Sequence, residues 1–146
     1  MRPWGVAQNK GVIVVHRIEI KIRGYHLDLF GHVNNARYLE FLEEARWAMF
    51  DDQTDLQALA QKGYAFTVVN INIAYRRPAV MNDVLIVESV IKSIGRRSAV
   101  IRQTVKRKGD EATLVAEADV TFVLLDTRQQ KSAILEGELL AYLQSV

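Results

Sequence analysis

From residue 65 to residue 125 apolar and polar side chains alternate almost without pause, a pattern that long strands with one buried face satisfy. It divides into strands over 66–77, 84–94, 97–107 and 113–125. In the first, Val69, Ile71, Ile73 and Tyr75 alternate with Asn70, Asn72, Ala74 and Arg76. In the last, Leu114, Ala116, Ala118, Val120, Phe122 and Leu124 alternate with Val115, Glu117, Asp119, Thr121 and Val123. Breaks fall at Pro78, Gly95 and Gly109-Asp110, the last a hairpin turn signal. A fifth strand begins at Arg17, where Ile18, Ile20 and Ile22 alternate with charged residues, and His16 belongs to it.

One long helix stands apart from this pattern. Asn34 or Asn35 can cap it, and it runs to about residue 50. At about 100° per residue, Tyr38, Phe41, Leu42, Ala45 and Met49 share a face, with Glu40, Glu43 and Glu44 opposite. Trp47 falls among those acids, which calls for cover from a partner element or subunit. Short helices fit 56–62, closed by Gly63, and 136–144. Long antiparallel strands with one mostly apolar helix define an α+β plan, a curved five-stranded sheet wrapped around that helix.

At 146 residues, 49% of them apolar, the chain fits one domain over 17–146 with a sizeable core. Residues 1–16 precede it, and 1–11, with Pro3, Gly5, Gly11 and no periodicity, read as a loose leader. Residues 1–10 lack the long apolar core of a signal peptide, and 12–15 are too few to span a bilayer, so a soluble cytoplasmic protein is expected. The absence of cysteine excludes disulfides and a thiolate nucleophile. A net charge of +2 is too small a bias to imply nucleic-acid binding.

The loop ahead of the long helix carries the chemistry. Asp28 lies about seven residues before the helix start, with Gly31 between them to let the backbone turn. A carboxylate there can activate a water or attack a carbonyl, while the N–H of Asn35 or Ala36 polarises the carbonyl oxygen. The alternative is an acid that caps a turn or pairs with an arginine. His26, Asp28 and His32 could instead ligate zinc or iron, although no further ligand cluster accompanies them; otherwise the histidines are turn residues or line the pocket. Glu44, at the margin of the apolar stripe, is the alternative base. Arg76-Arg77, where a strand ends before Pro78, are candidate phosphate contacts, whereas Lys106 to Lys108 read as hairpin-tip solubility charges.

Asp28-x-x-Gly31-x-Val33-x-Asn35-Ala36-x-Tyr38 resembles the acyl-CoA thioesterase signature of the hotdog fold, in its 4-hydroxybenzoyl-CoA thioesterase-like branch. The strings GYHLDLFGHVNNARYLEFLEEARW, VVNINIAYRRPAV and LEGELLAYL resemble its bacterial long-chain acyl-CoA thioesterase III members, and the likeness spans about residues 17–143. The resemblance implies hydrolysis of medium- or long-chain acyl-CoA without a metal or organic cofactor. It further implies a homodimer or homotetramer with active sites at the subunit interface. Carried over by position, Asp28 matches the catalytic carboxylate, the Asn35 N–H matches the oxyanion donor, and Tyr38 matches a pocket or packing tyrosine. Hotdog domains also serve as dehydratases, for which His26 or His32 could supply a histidine, and as acyl-CoA-sensing regulators. Residues 1–16 are too short for the helix-turn-helix that such a regulator needs.

Overall fold

The computed structural model describes residues 13–51 and 55–146. The leader reading for 1–11 lies outside the described residues. Strand β1 (His16–Lys21) leads through a single 3-10 turn (Gly24–His26) to helix α1 (Asn35–Asp51) and helix α2 (Asp55–Gln61). Strands β2 (Tyr64–Tyr75), β3 (Val84–Ile94), β4 (Ser98–Arg107) and β5 (Asp110–Asp126) follow, then β6 (Lys131–Ser132) and helix α3 (Gly137–Ser145). The strands form one antiparallel sheet in the order β1-β3-β4-β5-β2, with the short β6 beside the end of β5. Helix α1 packs on this sheet against β1 and β3. This is the hotdog arrangement, with the five long strands the alternation predicts.

Helix α1 begins where Asn34 stops the extended chain. Its Oδ1 accepts the Ala36 N–H at 2.9 Å and its carbonyl accepts the Arg37 N–H at 2.9 Å, so Asn34 rather than Asn35 is the cap. Tyr38, Phe41, Leu42, Ala45 and Met49 are buried, as the periodicity requires, while Glu40, Glu43 and Glu44 face solvent. They meet Leu85, Val87, Ile101, Val105, Val120 and Phe122 from the sheet in one continuous core. Gly63 closes α2 at φ 92°, a left-handed conformation that glycine adopts without steric cost. At the far end of α1, Phe50 stacks on Tyr142 of α3 with ring centroids 6.3 Å apart, tying the last helix to the first.

The period-2 reading fails where the strands bulge. Phe122 pairs with Val68 and Thr121 with Asn70, so Val69 is the extra residue of a β-bulge and lies exposed. One inserted residue exchanges the two faces of a strand. Phe66 and Val68 therefore pack on the core before the bulge, and Ile71 and Ile73 after it. A second bulge in β5 turns Val115 inward beside Ala116, where strict alternation expects it outside. The two-residue β6 and the 3-10 turn are too short to leave a periodic signal.

Candidate functional site

The Asp28 loop is held on three sides. Leu27 bridges Val33 across the turn, His32 bridges Val80, and the Val33 N–H donates to the Ala79 carbonyl at 2.9 Å. Within it the Asp28 N–H donates to the His32 carbonyl at 2.8 Å, and Gly31 takes φ 78°. Asp28 Oδ1 accepts the backbone N–H groups of Phe30 at 2.9 Å and His32 at 3.2 Å. Among the described residues Oδ2 has no hydrogen-bond partner, so one oxygen fixes the turn and the other stays available. Asp28 thus caps a turn and still presents a carboxylate.

That carboxylate borders a cleft of about 240 Å³ lined by Asp28, His32, Asn35, Tyr38, Arg76 and Arg77, together with Val33, Tyr75 and Pro78. The structure therefore gathers six candidate residues around one opening and leaves out Ala36, His26 and Glu44. Ala36 spends its N–H on the Asn34 cap. The neighbouring Asn35 N–H, in the first turn of α1, has no acceptor among the described residues. It is an open donor at the positive end of the helix dipole. Tyr75, which the sequence reading did not select, donates its hydroxyl hydrogen to the Asn35 carbonyl at 3.1 Å and so fixes this peptide from the β2 side. An aromatic residue immediately before the arginine pair was the available signal.

Tyr38 is buried under this cleft, edge-on to Phe41 and Tyr75 at 5.9 and 5.5 Å. Burial pushes its phenol up to about 12, against the opposing pull of a backbone hydrogen bond with Ala79. At neutral pH it is a neutral packing residue. The arginines follow from the β5 bulge, whose Val115 carbonyl accepts the N–H groups of Arg76 and Arg77 at 2.8 and 3.1 Å. Their side chains differ. Arg76 Nε donates to Glu117 at 3.1 Å, whereas Arg77 enters no ion pair among the described residues; both border a second opening beside Thr113 and Leu114.

The metal reading does not assemble. His26 is buried, its Nδ1 accepts the Arg23 N–H at 2.8 Å, and its ring stands edge-on to Phe41 at 5.1 Å. No cluster of three His, Asp or Glu residues able to hold a metal occurs among the described residues. Glu44 is exposed on α1 and does not line the Asp28 cleft. Burial, reinforced by the Arg37 charge, lowers the His26 pKa below 6.5. The unfolded chain then takes up a proton at a pH where the folded chain does not, so stability is complete above 6.5 and is lost as pH falls through the lowered value. Denaturant midpoints between pH 8 and pH 5 are expected to fall below about 6.5, and His26→Gln to flatten that slope. An unchanged slope in the variant would remove His26 as its source.

The Thioesterase-like superfamily model matches residues 22–143. The long-chain acyl-CoA thioesterase FadM of Escherichia coli strain K12 is 49% identical over 121 residues, covering 83% of this chain and 91% of that protein. The acyl-CoA thioester hydrolase YbgC of Escherichia coli O6:H1 is 32% identical over 115 residues, 78% of this chain and 84% of its own length. Among solved structures, the probable thioesterase YbaW from Escherichia coli superposes with a TM-score of 0.83 at 45% identity, covering 88% of this chain and 96% of that one.

Proposed function

The chain belongs to the Thioesterase-like superfamily, and from that premise we propose that it hydrolyses medium- or long-chain acyl-CoA to the free acid and CoA, with Asp28 and the Asn35 N–H as its catalytic groups. The observation that carries this reading is the division of labour in Asp28. A carboxylate on the wall of a cleft, with Oδ1 locked by two backbone N–H groups and Oδ2 without a partner among the described residues, is preorganised to meet a substrate atom. The open Asn35 N–H on the same cleft suits the oxygen of a polarised thioester carbonyl.

In the general-base route water attacks the carbonyl carbon as its proton passes to Asp28. The carbonyl electron pair moves onto oxygen, where the Asn35 N–H and the helix dipole stabilise it. Collapse breaks the carbon–sulfur bond, and the CoA thiolate takes up the proton that Asp28 carries. In the alternative route Asp28 attacks directly, expels the thiolate and leaves a mixed anhydride that water cleaves. Both need the same charge at the same place, and neither needs a metal or organic cofactor. His32 and Ala36 flank the substrate, and Tyr38 shapes the floor of the cleft.

Arg76 and Arg77 face the phosphates of CoA, and of the two Arg77 is free to do so without breaking an ion pair. Arg77→Ala is expected to raise KM for acyl-CoA about tenfold with little change in kcat, and Arg76→Ala to raise it less, since Glu117 already holds that guanidinium. Equal effects of the two substitutions would contradict the distinction.

The domain over 17–146 works as a homodimer or homotetramer in the cytoplasm. Strand β2 is an outer strand of the sheet, Val69 stands exposed on it, and Trp47 is 54% exposed on α1. No helix among the described residues is long and apolar enough to cross a membrane. Hydrolysis of saturated acyl-CoAs of several lengths, followed by free-thiol release, tests the reading. Thiol release that rises with chain length into the medium or long range supports it, and no release from any of them refutes it.

A further inference from the structure

Another cleft, about 360 Å³, opens along the C-terminal half of α1, away from the Asp28 loop, and is walled by Trp47, Phe50, Leu56, Phe66, Val68 and Ile71 together with two charged residues, Glu43 and Arg46. Six of the eight side chains are thus apolar or aromatic. Glu43 is exposed, whereas the cation is nearly sealed from solvent: Arg46 is 8% exposed. Its Nη1 donates to Gln103 Oε1 at 3.0 Å, and Gln103 in turn donates to the Leu42 carbonyl and to Ser89 Oγ.

A guanidinium has five N–H donors and keeps its charge in proteins. Among the described residues one of these donors has an acceptor, and that acceptor is a neutral amide. No carboxylate forms an ion pair with Arg46 among the described residues. The nearest charge of opposite sign is Glu43, one turn earlier at the rim, exposed and holding the Trp47 Nε1–H at 3.3 Å. A buried cation without a counter-charge is costly, and a ligand that supplies the counter-charge recovers part of that cost.

We propose that this cleft binds a free fatty acid, its carboxylate on the Arg46 guanidinium and its hydrocarbon chain against Trp47, Phe50, Leu56, Phe66 and Val68. The two oxygens of a carboxylate match the fork of a guanidinium, and an aliphatic tail matches the walls. A volume of 360 Å³ takes roughly a dozen non-hydrogen atoms at about 30 Å³ each, about the size of a ten-carbon acid, and dodecanoate is longer by two carbons. An alcohol of the same length fills the walls and leaves the cation unmatched. Glu43 opposes the incoming anion from the rim and keeps the affinity moderate. The walls come from α1, α2 and β2 of one chain. The source of the acid rests on the function proposed above, because hydrolysis of an acyl thioester releases this carboxylate; the binding itself does not.

Calorimetric titration of the full chain with sodium dodecanoate, below its micelle concentration and without any thioester, tests the site. Dodecanoate is expected to bind at least tenfold more tightly than dodecan-1-ol. Glu43→Gln, a change on the surface, is expected to tighten dodecanoate several-fold by removing the like charge. Arg46→Gln, which keeps an amide beside Gln103, is expected to weaken it about tenfold. No titratable binding, equal binding of acid and alcohol, or a Glu43→Gln chain that binds no better each overturns the proposal. Intact dodecanoate binding in a chain that hydrolyses no acyl-CoA supports the site and counts against the hydrolase reading alone.

Discussion

Asp28→Asn is expected to lower kcat by about a hundredfold or more while KM changes little. The asparagine keeps the size of the side chain, and its amide oxygen can still accept the Phe30 and His32 N–H groups that define the turn. What it loses is the negative charge on the side that borders the cleft. General-base and anhydride routes both depend on that charge, so the prediction holds for either. Stability should move by no more than about 0.5 kcal/mol, the usual range for a surface change that preserves its hydrogen bonds. Steady-state thiol release and a denaturant midpoint, measured on one preparation free of contaminating hydrolase, check both halves. Turnover at the wild-type rate would remove Asp28 from the mechanism and leave Glu44, exposed on α1, as the next carboxylate to test. A large loss of stability alongside the loss of rate would instead assign the aspartate to the turn.

The sequence made the strands, the long helix and the Asp28 loop legible because each rests on a local signal. Alternation marks β3 and β4 nearly to the residue, and the stripe Tyr38, Phe41, Leu42, Ala45, Met49 marks the buried face of α1. What escaped depends on pairing between distant segments. Val69 looks like an inward residue until its partner strand shows that Phe122 and Thr121 have already taken Val68 and Asn70. The contrast between Arg76 and Arg77 depends on Glu117, some forty residues away, and is invisible in the dipeptide. His26 has the spacing of a metal ligand, yet the 3-10 turn gives its Nδ1 to the Arg23 N–H. Arg46 was hidden in a different way. Its i,i+3 spacing from Glu43 reads as an ordinary surface pair, yet Arg46 is buried beside Leu42 and Phe50, which recur with it every four residues along α1, and it forms no ion pair among the described residues. A buried charge in such a series is a signal in its own right.

That buried charge also sets the largest stability effect expected of one substitution. Gln103, fully buried on β4, accepts from Arg46 and donates to the Leu42 carbonyl and Ser89 Oγ, so a single amide bonds to a cation, a helix peptide and a hydroxyl. Gln103→Leu has a similar volume and more apolar surface, and in a wholly apolar environment it would be tolerated. Here it leaves the guanidinium without its protein acceptor and strips the carbonyl and the hydroxyl of a donor. Leaving a buried polar group without its partner costs about 1–3 kcal/mol, and more for a charged one, against about 1 kcal/mol for an ordinary hydrogen bond, and this substitution strands three groups. A loss of about 3 kcal/mol or more is therefore expected, which at about 3 °C per kcal/mol for a chain of this size lowers Tm by roughly 10 °C. The double substitution Gln103→Leu with Arg46→Met removes the stranded charge as well, and it should be less destabilised than Gln103→Leu alone. Denaturant unfolding of the two single variants and the double variant at equal protein concentration decides the matter. Additive losses would mean that Gln103 matters for packing and not for the cation it serves.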